Sequence, residues 1–597
     1  MLARNQFEAL RACSFGQGGE ISEGTGAPAA VLEELEGLGY IDGDRSLTDE
    51  GWRALAPYRV DNAVILAAGM ATRLAPLSFE KPKAMFQVRG EILIERAIRQ
   101  IRGAGIRDIV VVVGHMKEAF FYLEDEFGVK IVINPDYATR NNHSSVWCAR
   151  EHLGNTYILS SDQYYADNIF SKYNYEAYSS AVFVEGATDE QVLTLDADGS
   201  IVGMERGGKD AYVALGPAYF DRDFSRKYIQ ILGEEYDRPE TAPKLWEQVF
   251  AEHASELRMS TRVFDADEIW EFDYLTDLVS FDRDFFVNVD SAILDNICKT
   301  LGCDRTDIVD VAPVNAGLTN LSTSFSVDGV RYIYRHPGSG TDGIINREAE
   351  VRALQIARDI GLDDTYVFEN PQEGWKISRF IEGCTEFDYA DRSQVERALR
   401  LVRKLHLSGE TMPWKFDFHD EGIALADTLR ALKYPLPRDF DALTRRVGNV
   451  VARMGEDAAE PVLCHNDFYG PNLLVRDDAM RLIDWEYAAM GDPMCDLGSF
   501  VAQGSGYSVE EALGILPLYF GRAATPREQR HFLAAVGLVG WYWYVWAMYK
   551  EAVGNPAGEG WLYSWYKAAK QFTAAAEDAY SIERPDLQGI RERGDLQ

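Results

Sequence analysis

Several features that would narrow the function of a long chain are sparse here. The 597 residues contain seven cysteines, spread from Cys13 to Cys495 without a C-x-x-C pair. This spacing indicates neither a zinc site nor a disulfide framework, so reduced thiols are expected. Basic residues are also in deficit, because 60 Lys and Arg stand against 95 Asp and Glu, a formal net charge of -35. Nonspecific binding to nucleic acid or to an anionic membrane surface is therefore not expected.

Long apolar runs are nearly absent as well. The opening MLARNQFEAL lacks the apolar core of a signal peptide, so we expect a cytoplasmic protein. One uncharged stretch, FLAAVGLVGWYWYVWAMY at residues 532–549, approaches the roughly 20 residues that span a bilayer. Its centre is rich in Trp and Tyr, which favour membrane interfaces over the hydrocarbon interior. We therefore predict a buried helix and no membrane span.

The length exceeds what one core can organise, and three parts are predicted. Residues 1–60 combine a helical pattern with a short hairpin pattern, an order that resembles winged-helix modules. This part has five arginines, no lysine and ten acidic residues, so docking or regulation is favoured over DNA reading. Residues 61–287 alternate strand and helix patterns, which predicts an α/β fold with a mostly parallel sheet. Residues 288–597 read as a small β lobe before a larger helical lobe.

The stretch AVILAAGMATRLAPLSFEKPK carries the first motif. A buried strand runs into a turn of small residues, whose backbone N–H groups suit an anion such as a triphosphate. Arg73 adds a planar fork for phosphate oxygens, and Lys83 adds a movable charge. The residues predicted to form this nucleotide-binding loop are Leu66, Ala67, Ala68, Gly69, Met70 and Ala71.

This string resembles the signature of the sugar-nucleotide and phosphocholine nucleotidyltransferases, LAAGxGxRLxPLT followed by KPK. Arg73, Pro76 and the triplet from Lys81 to Lys83 are in register, whereas Ala71 stands where the family usually has glycine. The resemblance implies a Rossmann-like domain in which Arg73 and Lys83 are catalytic. It also implies bound Mg²⁺, held by Asp162 after the strand TYILSS and by an E-x-D segment, Glu271 and Asp273. Residues two apart on a strand share a face, so these two carboxylates can converge.

The segment NPDYATRNNHSSVWCAR also resembles this family, in which it borders the acceptor site. The implied base or acceptor contacts are Tyr137, Asn141, Asn142 and Trp147.

A second chemistry is indicated by VLCHNDFYGPNLLV and the following RLIDWEY. Phosphoryl transfer needs a base near the acceptor hydroxyl and oxygen ligands for Mg²⁺. The two strings are similar to the choline kinase and aminoglycoside phosphotransferase group. That resemblance implies Asp467 as the base and Asn472 and Asp484 as metal ligands, with His465 bracing the loop.

The preceding β lobe is consistent with this group. NAGLTN, ending at Asn320, resembles its nucleotide loop, and YIYRHPG places Arg335 where protein kinases have their strand lysine. Glu348 is the expected partner of Arg335, with Glu350 as the near alternative. WKISRFIEG resembles the hinge that borders adenine.

The acceptor of the second reaction is suggested by GWYWYVWAMY. A quaternary ammonium carries no N–H donor, so aromatic faces and a carboxylate recognise it best. Trp543 and Trp546 are spaced to share a helix face, and Glu486 and Tyr487 follow the metal-binding strand. The pattern resembles the choline pocket of choline kinases, although an aromatic stripe in a core would have the same spacing.

Together these resemblances imply a bifunctional, Mg²⁺-dependent enzyme. Choline and ATP would give phosphocholine, which with CTP would give CDP-choline and pyrophosphate. The implied architecture is a Rossmann-like domain plus a bilobal kinase-like (α+β) domain, preceded by the winged-helix-like module.

Three alternatives stay open: a sugar kinase fused to a sugar-phosphate nucleotidyltransferase, a cytidylyltransferase for 2-aminoethylphosphonate or phosphoethanolamine, and a regulatory protein with degenerate enzyme domains. Oligomeric state is not determined, and a homo-oligomer is allowed.

Overall fold

The structure is a computed structural model that describes residues 2–15, 29–314, 321–337, 346–477, 479–554 and 556–581. It divides into two compact units, one of Met1–Thr306 with Val311–Pro313 and the other of Asp307–Asp310 with Val314–Gln597. The sequence placed a boundary at residues 287 and 288, but residues 288–306 cluster with the first unit. Glu80 gives one reason, because its carboxylate accepts hydrogen bonds from the Ser291 hydroxyl and from Ile293 N (3.1 Å).

The first unit holds eleven strands and eleven helices among its described residues. Its strands are β1 (Asn62–Ala67), β2 (Gln87–Val88), β3 (Glu91–Ile92), β4 (Asp108–Val113), β5 (Lys130–Ile133), β6 (Thr156–Ser160), β7 (Gln163–Tyr165), β8 (Tyr178–Leu195), β9 (Ile201–Phe220), β10 (Ser260–Phe264) and β11 (Ile269–Glu271). Its helices are α1 (Arg4–Phe15), α2 (Ala29–Gly37), α3 (Asp49–Leu55), α4 (Leu93–Gly103), α5 (Tyr122–Phe127), α6 (His143–Cys148), α7 (Arg222–Glu235), α8 (Trp246–Glu252), α9 (Leu275–Phe281), α10 (Phe285–Asn288) and α11 (Ala292–Leu301).

A mixed seven-stranded sheet, ordered β10-β8-β9-β6-β1-β4-β5, forms the centre of the first unit. Strand β1 pairs in parallel with β4 and β6, whereas β9 is antiparallel to β6 and β8. Alternate residues of β1 enter two separate apolar clusters, with Ile65 in one and Val64 in the other. Both faces of the sheet are therefore covered, as expected for an α/β fold whose sites lie at the carboxyl ends of strands.

Residues 1–60 belong to this first unit rather than forming a separate body. Helices α1, α2 and α3 enclose a small core of their own that includes Phe7 and Leu35. One isolated bridge between Ile41 and Leu47 stands where a wing was expected. The core also includes Tyr173 of the transferase part, so the module packs against it. The winged-helix interpretation stays a prediction.

The second unit has a small sheet lobe and a helical lobe. Its strands, counting β12 at the division, are β12 (Val309–Val314), β13 (Leu321–Val327), β14 (Val330–His336), β15 (Tyr366–Glu369), β16 (Lys376–Arg379), β17 (Val462–Cys464), β18 (Leu473–Arg476), β19 (Ala479–Leu482) and β20 (Ala489–Gly491). Its helices are α12 (Arg347–Asp359), α13 (Arg392–His406), α14 (Phe418–Ala431), α15 (Phe440–Met454), α16 (Pro493–Ala502), α17 (Val509–Leu513), α18 (Leu516–Phe520), α19 (Pro526–Ala552) and α20 (Glu559–Ala579). The five-stranded sheet has the order β12-β13-β14-β16-β15.

Helix α19 is the element that the apolar stretch predicted. Among the described residues it is the one helix long and apolar enough to cross a membrane, and 94% of its apolar window is buried inside the protein. Gly537 and Gly540 allow α20 to pack closely against it. A Cβ at Gly537 would lie 2.8 Å from Thr573 N, a distance that real contacts essentially never show. The helix is therefore built into the helical core.

Candidate active sites

The signature loop, residues 66–71, begins in the last two residues of β1 and continues beyond its carboxyl end. Ala71 adopts the left-handed conformation, with φ of 49°, at the position where the resembled family has glycine. Alanine accepts this conformation at a steric cost that glycine avoids. A cavity of about 390 Å³, the loop cavity, lies against the loop. Its lining includes Leu66, Ala67, Ala68, Gly69 and Ala71, whereas the Met70 side chain is exposed.

Two cations meet two carboxylates in the loop cavity. Lys83 Nζ lies 2.9 Å from Asp162 Oδ2 and 3.4 Å from Asp273 Oδ1. Arg73 Nη1 lies 2.9 Å from Asp273 Oδ2. The carboxylates raise the pKa of Lys83 above its ordinary value although burial acts to lower it, so the side chain is charged. The predicted catalytic cations therefore lie together, opposite the predicted metal ligands.

The carboxylates themselves form a group suited to a divalent cation. Oxygens of Asp162, Glu271 and Asp273 all lie within 4.8 Å of one another. Burial, and then the charge of Asp162, raise the pKa of Glu271 to about 8. Asp162 Oδ1 is buried and has no hydrogen-bond partner among the described residues. A hard cation would satisfy that oxygen and relieve the repulsion, so these residues fit Mg²⁺.

A second cavity of about 830 Å³, the acidic cavity, shares Arg73, Asn141, Asn142 and Asp162 with the loop cavity. The carboxylic residues that line it are Asp162, Asp189, Glu190, Glu247, Glu271, Asp273 and Asp277. Glu247, in the first turn of α8, receives a hydrogen bond from Asn142 Nδ2 at 3.5 Å. It forms no ion pair within the described part of the chain, and burial raises its pKa to about 7. This cavity suits a positively charged ligand group.

The predicted acceptor contacts separate into two sets. Tyr137, Asn141 and Asn142 line the loop cavity. Trp147, in contrast, stacks on Tyr236 with ring centroids 5.3 Å apart and does not line either cavity. It lies further along α6, where it packs over Gly233; a Cβ there would come within 3.1 Å of the ring. Trp147 thus packs against α7 in this structure, and the placement does not support its predicted role as an acceptor contact.

Sequence reasoning also missed several cavity residues. Arg140 lines the loop cavity and lies over the ring of Tyr236, 4.3 Å from its centroid. Glu190 and Glu247 line the acidic cavity from elements far apart in the chain. Arg140 belongs to the segment NPDYATRNNHSSVWCAR and directly precedes Asn141, so its position beside the predicted contacts could have indicated it. Nothing in the sequence around Glu190 or Glu247 marks them.

In the second unit the kinase-type loop, residues 465–472, follows β17. Asp496 of α16 accepts hydrogen bonds from His465 N (2.9 Å) and Asn466 N (2.6 Å) and from His406 Nε2 (2.9 Å). His465 Nε2 donates to Ile483 O at 3.0 Å, which ties the loop to the segment before Asp484. The hydrogen bonds of His465 N and of its Nε2 hold the main chain of the loop in place, which fits the bracing role predicted for this histidine.

Asp467 is held by two amide groups. Asn472 Nδ2 donates to its Oδ2 at 2.9 Å, and Gln503 Nε2 donates to its Oδ1 at 2.7 Å. Burial raises the pKa of Asp467 to about 7, with a smaller contribution from the charge of Asp484. A carboxylate with such a pKa can accept a proton near neutrality.

Asp484 has a positive φ of 67° and a side chain that is 37% exposed, so its oxygens are open to a ligand. A Mg²⁺ ion at Asp484 and Asn472 fits these donors.

Arg335 on β14 lies at the centre of a buried charge network. Its Nη2 is 2.7 Å from Glu350 Oε1, and its Nη1 is 3.3 Å from Asp484 and 3.5 Å from Glu486. Glu350 also pairs with Lys376 at 3.0 Å. Glu348 is exposed, so the preferred partner in the sequence interpretation was wrong and the near alternative is correct. Helix α12 begins after Asn346, and this start turns residue 350 toward β14. Asn320 lies outside the described residues.

An aromatic cluster adjoins this network. Its members are Tyr469, Tyr487, Trp543, Trp546, Trp561 and Trp565. Trp543 lies 5.5 Å from Tyr487, 5.3 Å from Trp546 and 5.9 Å from Trp565, measured between ring centroids. Trp561 links Trp565 (5.5 Å) to Tyr469 (6.1 Å). Because Tyr469 is two residues after Asp467, the cluster reaches the kinase-type loop. The sequence predicted its α19 part and Tyr487, but neither Tyr469 nor Trp561 and Trp565 of α20.

Comparisons with known proteins agree with two enzymatic parts. Residues 63–195 match the MobA-like NTP transferase domain family, and residues 310–533 match the phosphotransferase enzyme family. A 2-aminoethylphosphonate cytidylyltransferase of Lancefieldella rimae is 34% identical over 229 residues, which are 38% of this chain and 93% of the relative. A choline-phosphate cytidylyltransferase of Streptococcus pneumoniae is 31% identical over 215 residues, 36% of this chain and 94% of the relative.

Among solved structures, choline kinase LicA from Streptococcus pneumoniae is 21% identical, with a TM-score of 0.41 over 48% of this chain and 100% of that chain. By the two family matches, residues 63–195 form the domain of a nucleotidyltransferase and residues 310–533 that of a phosphotransferase. Through its first unit the chain belongs to the cytidylyltransferase family of these relatives.

Proposed function

We propose that the chain phosphorylates choline with ATP and then converts phosphocholine and CTP to CDP-choline and pyrophosphate. The observation that carries this proposal is the aromatic cluster beside Asp467, Asp484 and Glu486. Aromatic faces together with a carboxylate suit a trimethylammonium group. The acidic cavity of the first unit would accept the same trimethylammonium group, so the phosphocholine made at the second unit's site suits the first unit's site.

In the kinase reaction, Asp467 takes the proton of the choline hydroxyl while that oxygen attacks the γ-phosphorus of ATP, and ADP leaves. Arg335, held by Glu350, would orient the phosphates. Bound Mg²⁺ would neutralise charge on the phosphate oxygens, and Asn472 and Asp484 are the residues to hold it.

In the transferase reaction, a phosphate oxygen of phosphocholine attacks the α-phosphorus of CTP, and pyrophosphate leaves. Arg73 and Lys83 would stabilise the negative charge that develops on the departing phosphates. Asp162, Glu271 and Asp273 are the residues to hold Mg²⁺. Dependence on Mg²⁺, the choice of CTP and a cytoplasmic location are parts of the proposal.

A second candidate acceptor is a primary amine such as phosphoethanolamine or 2-aminoethylphosphonate. Glu247 favours it, because an unpaired carboxylate can accept hydrogen bonds from an ammonium group. The aromatic cluster favours choline, since it offers faces rather than acceptors.

Product analysis separates these acceptors. The protein is incubated with ATP, CTP, Mg²⁺ and a panel of choline, ethanolamine, sugars and 2-aminoethylphosphonate, and products are identified by mass spectrometry. CDP-choline formed from choline with the highest kcat/KM supports the proposal. Preference for another acceptor, or phosphorylation of sugars alone, would contradict it.

A further inference from the structure

A cleft lies between helix α1 and the edge strand β10, within the first unit. Its volume is about 220 Å³, below the 300–1,000 Å³ typical of pockets for drug-sized ligands. Tyr178 and Ser260, the first residues of β8 and β10, line it. Strands β8 and β10 are parallel to each other. Strands β8 and β6 are both antiparallel to β9, and β6 is parallel to β1, so β8 runs in the same direction as β1. The cleft is therefore at the opposite end of the sheet from the signature loop.

Three arginines line this cleft: Arg4 and Arg11 from α1, and Arg262 from β10. Arg4 pairs with Glu176 at 2.9 Å, and Arg11 pairs with Glu8 at 2.7 Å. With these two carboxylates the five charges leave one net positive charge. The cleft is thus locally positive although the formal net charge of the chain is -35.

Arg262 supplies that surplus charge. Its guanidinium lies 5.6 Å from the ring centroid of Tyr178 and 4.9 Å from that of Phe264, and it donates to Tyr178 Oη at 3.4 Å. It forms no ion pair with a carboxylate in the described ranges, although most of it is shielded from water. The two aromatic rings hold the guanidinium in a fixed orientation, which lowers the entropy lost when it binds a ligand.

The chemistry of Arg262 points to the kind of ligand. Its planar guanidinium can donate two parallel hydrogen bonds, a geometry that matches an oxyanion.

We propose that this cleft binds a small oxyanion of the size of a phosphate or phosphate monoester, separately from both catalytic sites. Arg262 is the principal contact, and Arg11, which pairs with Glu8, offers further N–H donors from α1. An anion held between α1 and β10 would fasten the N-terminal module to the transferase domain.

Calorimetric titration of the full-length protein with inorganic phosphate tests the site. We expect Arg262→Met to abolish one class of phosphate sites, or to weaken it at least tenfold, and Arg262→Lys to restore part of the affinity. Arg53→Met is the matched control, because Arg53 is exposed on α3 of the same module and pairs with Glu50 at 3.1 Å. It should titrate like the wild type. Parallel titrations with phosphocholine and with succinate show whether phosphomonoesters or dicarboxylates are preferred.

Arg11→Met provides a second variant that leaves the rings of Tyr178 and Phe264 untouched, and it should also weaken phosphate binding. Kinetic constants for CTP measured without added phosphate should stay unchanged in both variants. Equal phosphate stoichiometry and affinity in the wild type and Arg262→Met would overturn the proposal. A lower melting temperature with unchanged phosphate binding would do the same, since Arg262 would then be a packing residue only.

Discussion

At the scale of single residues, both sites bury carboxylates that need a cation. Burial raises the pKa of Glu271 to about 8, that of Asp467 to about 7 and that of Glu486 to about 8. In each case a neighbouring carboxylate adds to the effect. Such raised values are typical of functional sites, because a structural core would pair or exclude these groups.

The pKa of Asp467 predicts opposite effects of pH on activity and stability. The base must be ionised, so kcat/KM for phosphorylation should fall from pH 8 to pH 6. Bound Mg²⁺ should shift this decline to lower pH by favouring the ionised form. The folded pKa lies above the unfolded one, so the stability contributed by protonation is complete below about pH 4 and is lost as pH rises through about 7.

Denaturant unfolding in EDTA measures the stability effect. Asp467→Asn imitates the protonated carboxyl, so it should become more stable relative to the wild type as pH rises from 5 to 8. A kinase rate that does not change between pH 6 and 8 at low Mg²⁺ would argue against Asp467 as the base.

Glu350 and Glu348 form a matched pair for testing the buried network. Glu350→Gln leaves Arg335 and Lys376 without the carboxylate that both contact, and removing one partner of a buried pair typically costs about 3–5 kcal/mol. We expect a strongly raised KM for ATP and a lower free energy of unfolding. Glu348→Gln, two residues away and exposed, should change neither. ATP kinetics and denaturant unfolding of both variants check this, and equal effects would remove Glu350 from the site.

The motif residues could be predicted from the sequence because each stands in a short string that resembles a family signature, although Lys83 and Asp273 are 190 positions apart. Lys83, Asp162 and Asp273 meet in one cavity, as do Asp467 and Asn472 within one loop. The choice between Glu348 and Glu350 could not be made, since it depends on how α12 is rotated against β14. Glu247 was missed for a similar reason: its role arises from a fold that brings α8 beside Asn142.

At the scale of elements, the packing of α19 against α20 builds the aromatic cluster. Gly540 is close enough to Ala569 N that an added Cβ would lie 2.9 Å away. This contact brings Trp565 of α20 beside Trp543 of α19. The sequence predicted the apolar helix from its composition, but the partner helix could not be identified without knowing this approach.

Trp543→Leu should weaken choline binding selectively. Each desolvated ring is expected to contribute about 0.5–2 kcal/mol of cation–π attraction, equivalent to a roughly 2- to 30-fold change in affinity. The KM for choline should therefore rise far more than that for ATP, and ethanolamine should lose less because it can hydrogen-bond to Glu486. Trp543→Phe, which keeps an aromatic face, should lose less than the leucine variant.

Trp541→Leu is the control on the same helix. Trp541 is fully buried, but its Nε1 donates to Thr444 Oγ1 at 3.2 Å, and its ring lies against Gly422, away from the cluster. This variant should lose stability without a selective change in choline KM. If both leucine variants raise the KM for choline equally, the cluster is a packing feature and the choline assignment loses its support.

At the scale of the whole molecule, each set of catalytic residues is complete within one unit. Lys83, Asp162 and Asp273 belong to the first unit, and Arg335 and Asp467 to the second. No described residue of either set must be supplied by the other unit. The two activities are therefore expected to be separable by single substitutions.

Mixing two inactive variants tests this independence most directly. Lys83→Ala should impair the transferase by about 10²–10³ through loss of charge stabilisation, while the kinase is spared. Asp467→Asn should abolish phosphorylation while supplied phosphocholine is still converted. Neither variant alone should convert choline to CDP-choline efficiently, but an equimolar mixture should do so after a lag in which phosphocholine accumulates in solution. If each folded variant loses both partial reactions, the sites are not independent. If the mixture stays inactive although each partial reaction is present, phosphocholine does not pass between molecules.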